Sequence, residues 1–104
     1  MLYDAKRWDA KRHPIVDALK IGRDRVTQGW CQNTAEAAGG VCILWAIAGQ
    51  FMRLRDGQPA LSYLRRVVGD DIVGWNDTPG RTQAEVEAAY DSAIALAVSE
   101  LVNA

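Results

Sequence analysis

Val41-Cys42-Ile43-Leu44-Trp45-Ala46-Ile47-Ala48-Gly49-Gln50-Phe51-Met52 is the stretch on which the fold turns. Eleven of its twelve residues are apolar or glycine, and only Gln50 is fully polar. Twelve residues is long for a buried strand, and Ala, Leu and Met favour a helix. It is too short for a membrane span, which needs about 20 apolar residues. A helix that is apolar on every face has to be covered on every face. The stretch therefore predicts the buried central helix of a small all-α domain. Arg53-Leu54-Arg55 extend it with charges suited to the negative helix end, and Asp56-Gly57 mark its stop. Gly49 inside it predicts the close approach of a neighbouring helix backbone, which Ala46 and Ala48 also permit.

Working outward, the wrapping helices announce themselves. His13-Pro14 opens one upstream, with Pro14 in the first turn, where a missing N–H costs nothing. Ile15, Leu19, Gly22 and Val26 share one face, and Val16 and Ile21 widen it. Gly29 predicts a left-handed stop, with Trp30 folding back as the hydrophobic contact. Residues 31–40 read either as one helical turn over 34–38 or as an irregular loop, broken by Gly39-Gly40. Downstream, Pro59 opens a helix to about Val68 with Leu61, Leu64 and Val68 as its stripe and Gly69 as its cap. Ile72-Val73-Gly74-Trp75 is a short β-prone run, too brief and solitary to build a sheet. Pro79-Gly80 fits the central positions of a type II turn. Thr82-Gln83-Ala84-Glu85 is a capping box. The last helix should run from Gln83 to about Val102, burying Val86, Tyr90, Ala93, Ala97 and Leu101, with Ile94 and Val98 flanking them. The expected fold is a compact four-helix domain over residues 13–104, with a structured turn before the last helix and a lead-in arm at 1–12.

With 104 residues the chain is one domain, large enough for a real core. Its net charge of −1 is unevenly spread. Residues 1–69 hold 11 basic and 6 acidic side chains, and residues 70–104 hold 1 and 7. The simplest arrangement sets the two parts face to face, and the alternative is a basic face for nucleic acid. The acidic balance disfavours non-specific DNA binding, which needs several uncompensated phosphate contacts. The arm repeats Asp-Ala-Lys-Arg at 4–7 and 9–12 around Trp8, reading as a lead-in pinned by Tyr3 and Trp8 or as a basic, aromatic arm. The first residues carry no apolar signal core and neither end carries a lipidation motif, so cytoplasm is the expected compartment.

Candidate chemistry is sparse. Cys31 and Cys42 are too few for a secreted disulfide framework. They read as separate reduced thiols, with a disulfide open if the loop folds back. With His13, the only histidine, they lack the tight spacing of a metal site. Cys42 near a helix start could be a reactive thiol with His13 as base, but its apolar surroundings predict an inert one. Trp75, Asn76, Asp77 and Arg81 could form a recognition surface; more often such Asn and Asp side chains satisfy their own turn. Asp77 could pair with Arg81. Gly39-Gly40 lacks the lysine of a phosphate-binding loop, and no cofactor motif is present.

Two segments together carry a resemblance. Gly29-Trp30-Cys31-Gln32 with Val41-Cys42-Ile43-Leu44-Trp45-Ala46-Ile47 forms one half. Val73-Gly74-Trp75-Asn76-Asp77-Thr78-Pro79-Gly80-Arg81-Thr82, with Glu85-Val86 and Ala93-Ile94, forms the other. Over about residues 13–98 the chain resembles a set of small bacterial and phage-encoded proteins carrying a domain of unknown function, in which a small residue usually stands where Trp45 does. The resemblance implies a compact, mostly helical fold and a phage or mobile-element origin, and brings no catalytic residues. The leading functional expectation is a non-enzymatic protein-interaction module, or a homodimer, with Trp8, Trp30, Trp75, Asn76, Asp77 and Arg81 as binding candidates. The alternatives are a ligand-binding domain or thiol enzyme using Cys42, His13 and Asp77, and nucleic-acid binding through the arm.

Overall fold

His13 caps the first helix, α1 (Pro14–Gln28), by accepting the Ile15 N–H on its Nδ1 at 3.2 Å. The computed structural model describes residues 13–51 and 57–103. The arm at 1–12, with Trp8, and the expected helix end at 53–56 lie outside the described residues. After α1 come two short strands, β1 (Glu36–Ala37) and β2 (Gly40–Val41), and then α2 (Trp45–Phe51), α3 (Gly57–Val68), α4 (Ile72–Asn76) and α5 (Gln83–Ala97). A π-helical turn, Val98–Val102, ends the last helix. The architecture is mostly helical. Its radius of gyration, 13.6 Å, is that of a compact chain of this length.

The apolar stretch folds differently from its prediction as a helix over 41–55. Gly40 and Val41 are strand, Ile43 and Leu44 form a turn, and the helix begins only at Trp45. The reason lies in the preceding loop. Ala38 and Gly39 both take positive φ, 50° and 82°, as the two-residue hairpin turn joining β1 to β2 requires. The hairpin draws Val41 away from helical geometry. Burial of the stretch is nonetheless deep at Val41, Cys42, Ile43, Ala46 and Ile47. It is not all-round, since Leu44, Trp45 and Ala48 are half-buried and Gly49 is exposed. Among the described residues, the atoms nearest a Cβ on Gly49 belong to side chains rather than to a neighbouring backbone. A Cβ there would meet the Trp45 indole at 3.0 Å and Arg25 Nη1 at 3.3 Å.

The close approach falls instead at Gly22 of α1. A Cβ there would lie 2.8 Å from the Tyr90 ring and 2.9 Å from Ile47 Cγ1. Three helices thus meet where α1 has no side chain. Tyr90 Oη donates to the Ile43 carbonyl at 2.7 Å, tying α5 to the start of α2. Burial pushes the Tyr90 hydroxyl far above its ordinary pKa, so it stays a donor. Leu19, Val26, Ile43, Ile47, Leu61, Leu64, Val86 and Ala93 complete the core.

Gly29 ends α1 in extended conformation, φ 173°, rather than the expected left-handed one. A Cβ on it would strike the Gly39 carbonyl oxygen at 2.5 Å, and one on Gly40 would strike the Trp30 backbone at 2.8 Å. The glycines let the end of α1 cross the hairpin at van der Waals distance, with Trp30 bridged to Val41 in parallel. Gly69 closes α3 as expected, with φ 94° and its N–H on Arg65 O at 2.8 Å. The β-prone run at 72–75 is helical, because Asp71 caps it by accepting the Gly74 N–H at 2.9 Å.

The uneven charge is matched at two seams. Arg23 of α1 pairs with Asp91 of α5, and Arg66 of α3 with Glu100 of the π turn. Such exposed pairs contribute about 0–1 kcal/mol, against about 1.5–3 for each buried Leu or Ile. The apolar seams therefore hold the fold, and Gly22→Ala is expected to cost about 1–3 kcal/mol by overpacking, despite the better helix propensity of Ala. Urea denaturation monitored by tryptophan fluorescence reads this directly.

Candidate functional site

Asn76 ends α4 completely buried, the one buried polar residue among those described. Its Oδ1 accepts from Trp30 Nε1 at 2.7 Å and from the Ile43 N–H at 3.0 Å. Its Nδ2 donates to the Cys31 carbonyl at 3.1 Å and to Asp77 Oδ1 at 2.9 Å. A carboxamide has two acceptor lone pairs and two N–H donors, so Asn76 uses its full capacity. It ties the end of α1, the start of α2 and α4 together. Gln32 reinforces the knot, its Nε2 donating at 3.0 Å to the carbonyls of both Asn76 and Thr78.

Asp77 and Arg81 are not paired with each other, contrary to one sequence expectation. Asp77 Oδ1 accepts from the Asn33 N–H at 2.8 Å, holding Asn33 at φ 66°. Arg81 stacks on the Trp75 ring, 3.9 Å from its centroid, donates to the Trp75 carbonyl at 3.0 Å and reaches Glu85 at 3.2 Å. The turn between them closes as expected, with the Arg81 N–H on Thr78 O at 3.0 Å and Gly80 at φ 86°. Arg81 thereby clamps α4 to the start of α5. There the capping box is complete, Thr82 Oγ1 accepting the Glu85 N–H and Glu85 accepting the Thr82 N–H.

Around this knot opens a cleft of about 230 Å³, lined by Asn33, Thr34, Ala35, Cys42, Leu44, Trp45, Val73 and Asp77. Cys42 and Asp77 are the sequence-predicted residues it brings together. Trp30 and Trp75 are half-buried and belong to the knot, Trp30 through its indole N–H and Trp75 under Arg81. Cys42 caps α2, its Sγ accepting the Trp45 N–H at 3.3 Å. His13 lies at the opposite end of α1 from the Trp30–Val41 bridge, roughly 22 Å away along a 15-residue helix. His13 and Cys42 are therefore not brought together as base and thiol. Among the described residues no group of three His, Cys, Asp or Glu is placed to hold a metal ion. No helix among them is long and apolar enough to cross a membrane.

Sequence reasoning missed Val73, Leu44 and the 33–35 segment as cleft walls. The signal for Val73 was available: Asp71 before a short apolar run is an N-cap, and the helix it starts turns Val73 outward, 42% exposed. The 33–35 segment had no local signal, because Asp77, 44 residues away, positions it. Trp45 covers Gly49 and donates its indole N–H to Glu36 of β1.

Asn76→Leu, close in size, strands the Trp30 indole N–H, the Ile43 N–H and the Cys31 carbonyl, and is expected to cost about 2–4 kcal/mol in urea denaturation. Glu85 sits below the ordinary carboxylate pKa, chiefly through the Thr82 backbone N–H, then the Thr82 hydroxyl and Arg81. A carboxylate whose pKa falls on folding stabilises the protein above its unfolded pKa and loses that contribution as pH drops through the folded one. Thermal midpoints measured from neutral pH down through the acid range should therefore fall less steeply for Glu85→Gln than for the parent chain.

No curated protein and no solved structure matches the chain. A family model does, over residues 10–96, most of the length. It spans α1 through nearly all of α5, and so both the Asn76 knot and the cleft. The chain belongs to the family of unknown function DUF6197.

Proposed function

We propose that this domain is a non-enzymatic protein-interaction module that receives one side chain of a partner protein in the cleft beside Asp77. The observation that carries the reading is the cleft's size. At about 230 Å³ it falls below the roughly 300–1,000 Å³ of pockets that enclose a whole small ligand. It suits a single anchoring side chain, the usual unit of a binding hot spot. Its walls support the same reading. Leu44, Trp45 and Val73 are apolar, and among the described residues the hydrogen bonds of Asp77 fall on Oδ1. Oδ2 is then the acceptor for an incoming group. An apolar stem ending in a cation, as in Lys or Arg, matches both features.

The other polar residues nearby serve the frame, since Asn76, Gln32 and Arg81 each bond to backbone. The likeness of the signature to small bacterial and phage-encoded proteins supports a host or phage protein as the partner, in the cytoplasm, and a phage or mobile element as the gene's source. A homodimer is the version in which the side chain comes from a second copy.

Selection of displayed random peptides against the parent chain should enrich Lys or Arg at one position. Val73→Arg places a competing stem and charge at the cleft, and should weaken the selected peptides by at least about tenfold in calorimetric titration while leaving the thermal midpoint nearly unchanged. Absence of basic enrichment, or unaltered affinity in the folded variant, overturns the proposal.

A further inference from the structure

We propose that Cys31 and Cys42 form a reversible disulfide within the folded domain, making the 31–42 loop a thiol–disulfide site for low-molecular-weight disulfides of the glutathione type. Both thiols are free in the structure. The backbone brings them together. Trp30 and Val41 form a parallel bridge, with the Val41 N–H on Gly29 O at 3.0 Å and the Cys31 N–H on Val41 O at 3.2 Å. Cys31 and Cys42 directly follow the bridged residues. The bridge is isolated, and past it the Asn76 carboxamide stands between the Cys31 carbonyl and the Ile43 N–H in place of a ladder bond. A disulfide spans a Cα separation of about 4.4–6.8 Å.

The hydrogen bonds agree. The Cys31 thiol donates to the carbonyls of Thr34 at 3.5 Å and Ala35 at 3.8 Å, and the Cys42 N–H donates to the same Ala35 oxygen at 3.0 Å. Asn76 brackets the pair from behind, holding the Cys31 carbonyl and the amide that follows Cys42. Burial raises the Cys31 thiol above its ordinary pKa, and the neighbouring Cys42 adds to the rise. Exchange at this site therefore accelerates as pH rises and more thiolate forms.

The chemistry closes without another reagent. Cys31, the more exposed of the two, attacks oxidised glutathione as the thiolate, forming a mixed disulfide and releasing one glutathione thiolate. The Cys42 thiolate then attacks the Cys31 sulfur, forming the internal bond and releasing the second. The two protons lost by the cysteines end on the two glutathione thiols, and the two electrons reduce the glutathione disulfide.

The full chain is equilibrated in glutathione buffers of graded oxidised-to-reduced ratio, both folded and in concentrated urea. Each sample is quenched with iodoacetamide and weighed intact. The folded chain should give a species two hydrogens lighter, with neither cysteine alkylated, at an oxidised-to-reduced ratio at least about tenfold above that in urea at the same buffer. By linkage, the oxidised chain should also melt at a higher temperature than the reduced one. A folded-state ratio equal to or below that in urea, or a product that stops at the glutathione adduct, overturns the proposal.

Discussion

One buried carboxamide decides how this small domain is joined. Three of the four hydrogen bonds of Asn76 link segments 33 to 46 residues apart in the chain. The Asn76 side chain is fully buried, so these bonds to an indole N–H, a backbone amide and a backbone carbonyl replace the ones it would make to water. Fully satisfied, such a group adds little net stability but selects one arrangement, because any other arrangement leaves several buried polar atoms without partners. The cleft inherits its shape from this selection. Asp77, next in the chain, sets Asn33, and Val73, one turn earlier on α4, faces the opening.

The apolar seam follows from the same geometry. Ile43, whose amide is held by Asn76, has its carbonyl held by Tyr90, so both ends of one residue are fixed from different helices. Its neighbour Ile47 then packs where Gly22 leaves room. The core thus has a polar clasp at its edge and a bare backbone at its centre. The helix pairs α1–α5 and α3–α5 close around them.

Much of this was legible where the determining physics is local. The stripe from Leu19 to Val26, the α3 stop at Gly69, the turn at Pro79-Gly80 and the capping box at Thr82 all depend on residues within a few positions of one another. The apolar stretch was legible as core but not as conformation. Its first residues are drawn into a hairpin by Ala38-Gly39, a turn lacking the Asn-Gly that usually advertises it. Asn76 was legible as a candidate residue but not in its role. An Asn-Asp pair in a turn region suggests bonds to its own backbone, and only the folded chain shows that Asn76 reaches across the domain. Asp77 and Arg81, four apart and opposite in charge, suggested an ion pair, yet each has better partners, the Asn33 amide for one and the Trp75 face with Glu85 for the other.

The π-helical turn that finishes the last helix has its own consequence. The Asn103 N–H reaches back five residues to the Val98 carbonyl at 2.9 Å, so the coil is locally one residue too wide. That widening sets the angle at which Glu100 meets Arg66 and the Tyr63 hydroxyl on α3. Each residue of a helix turns it by about 100°. Removing a single residue between 98 and 102 would leave good helix behind but swing the tail off its seam. Side-chain exchanges there would do far less. The length of this turn, more than any one of its side chains, therefore sets how the end of the last helix meets α3.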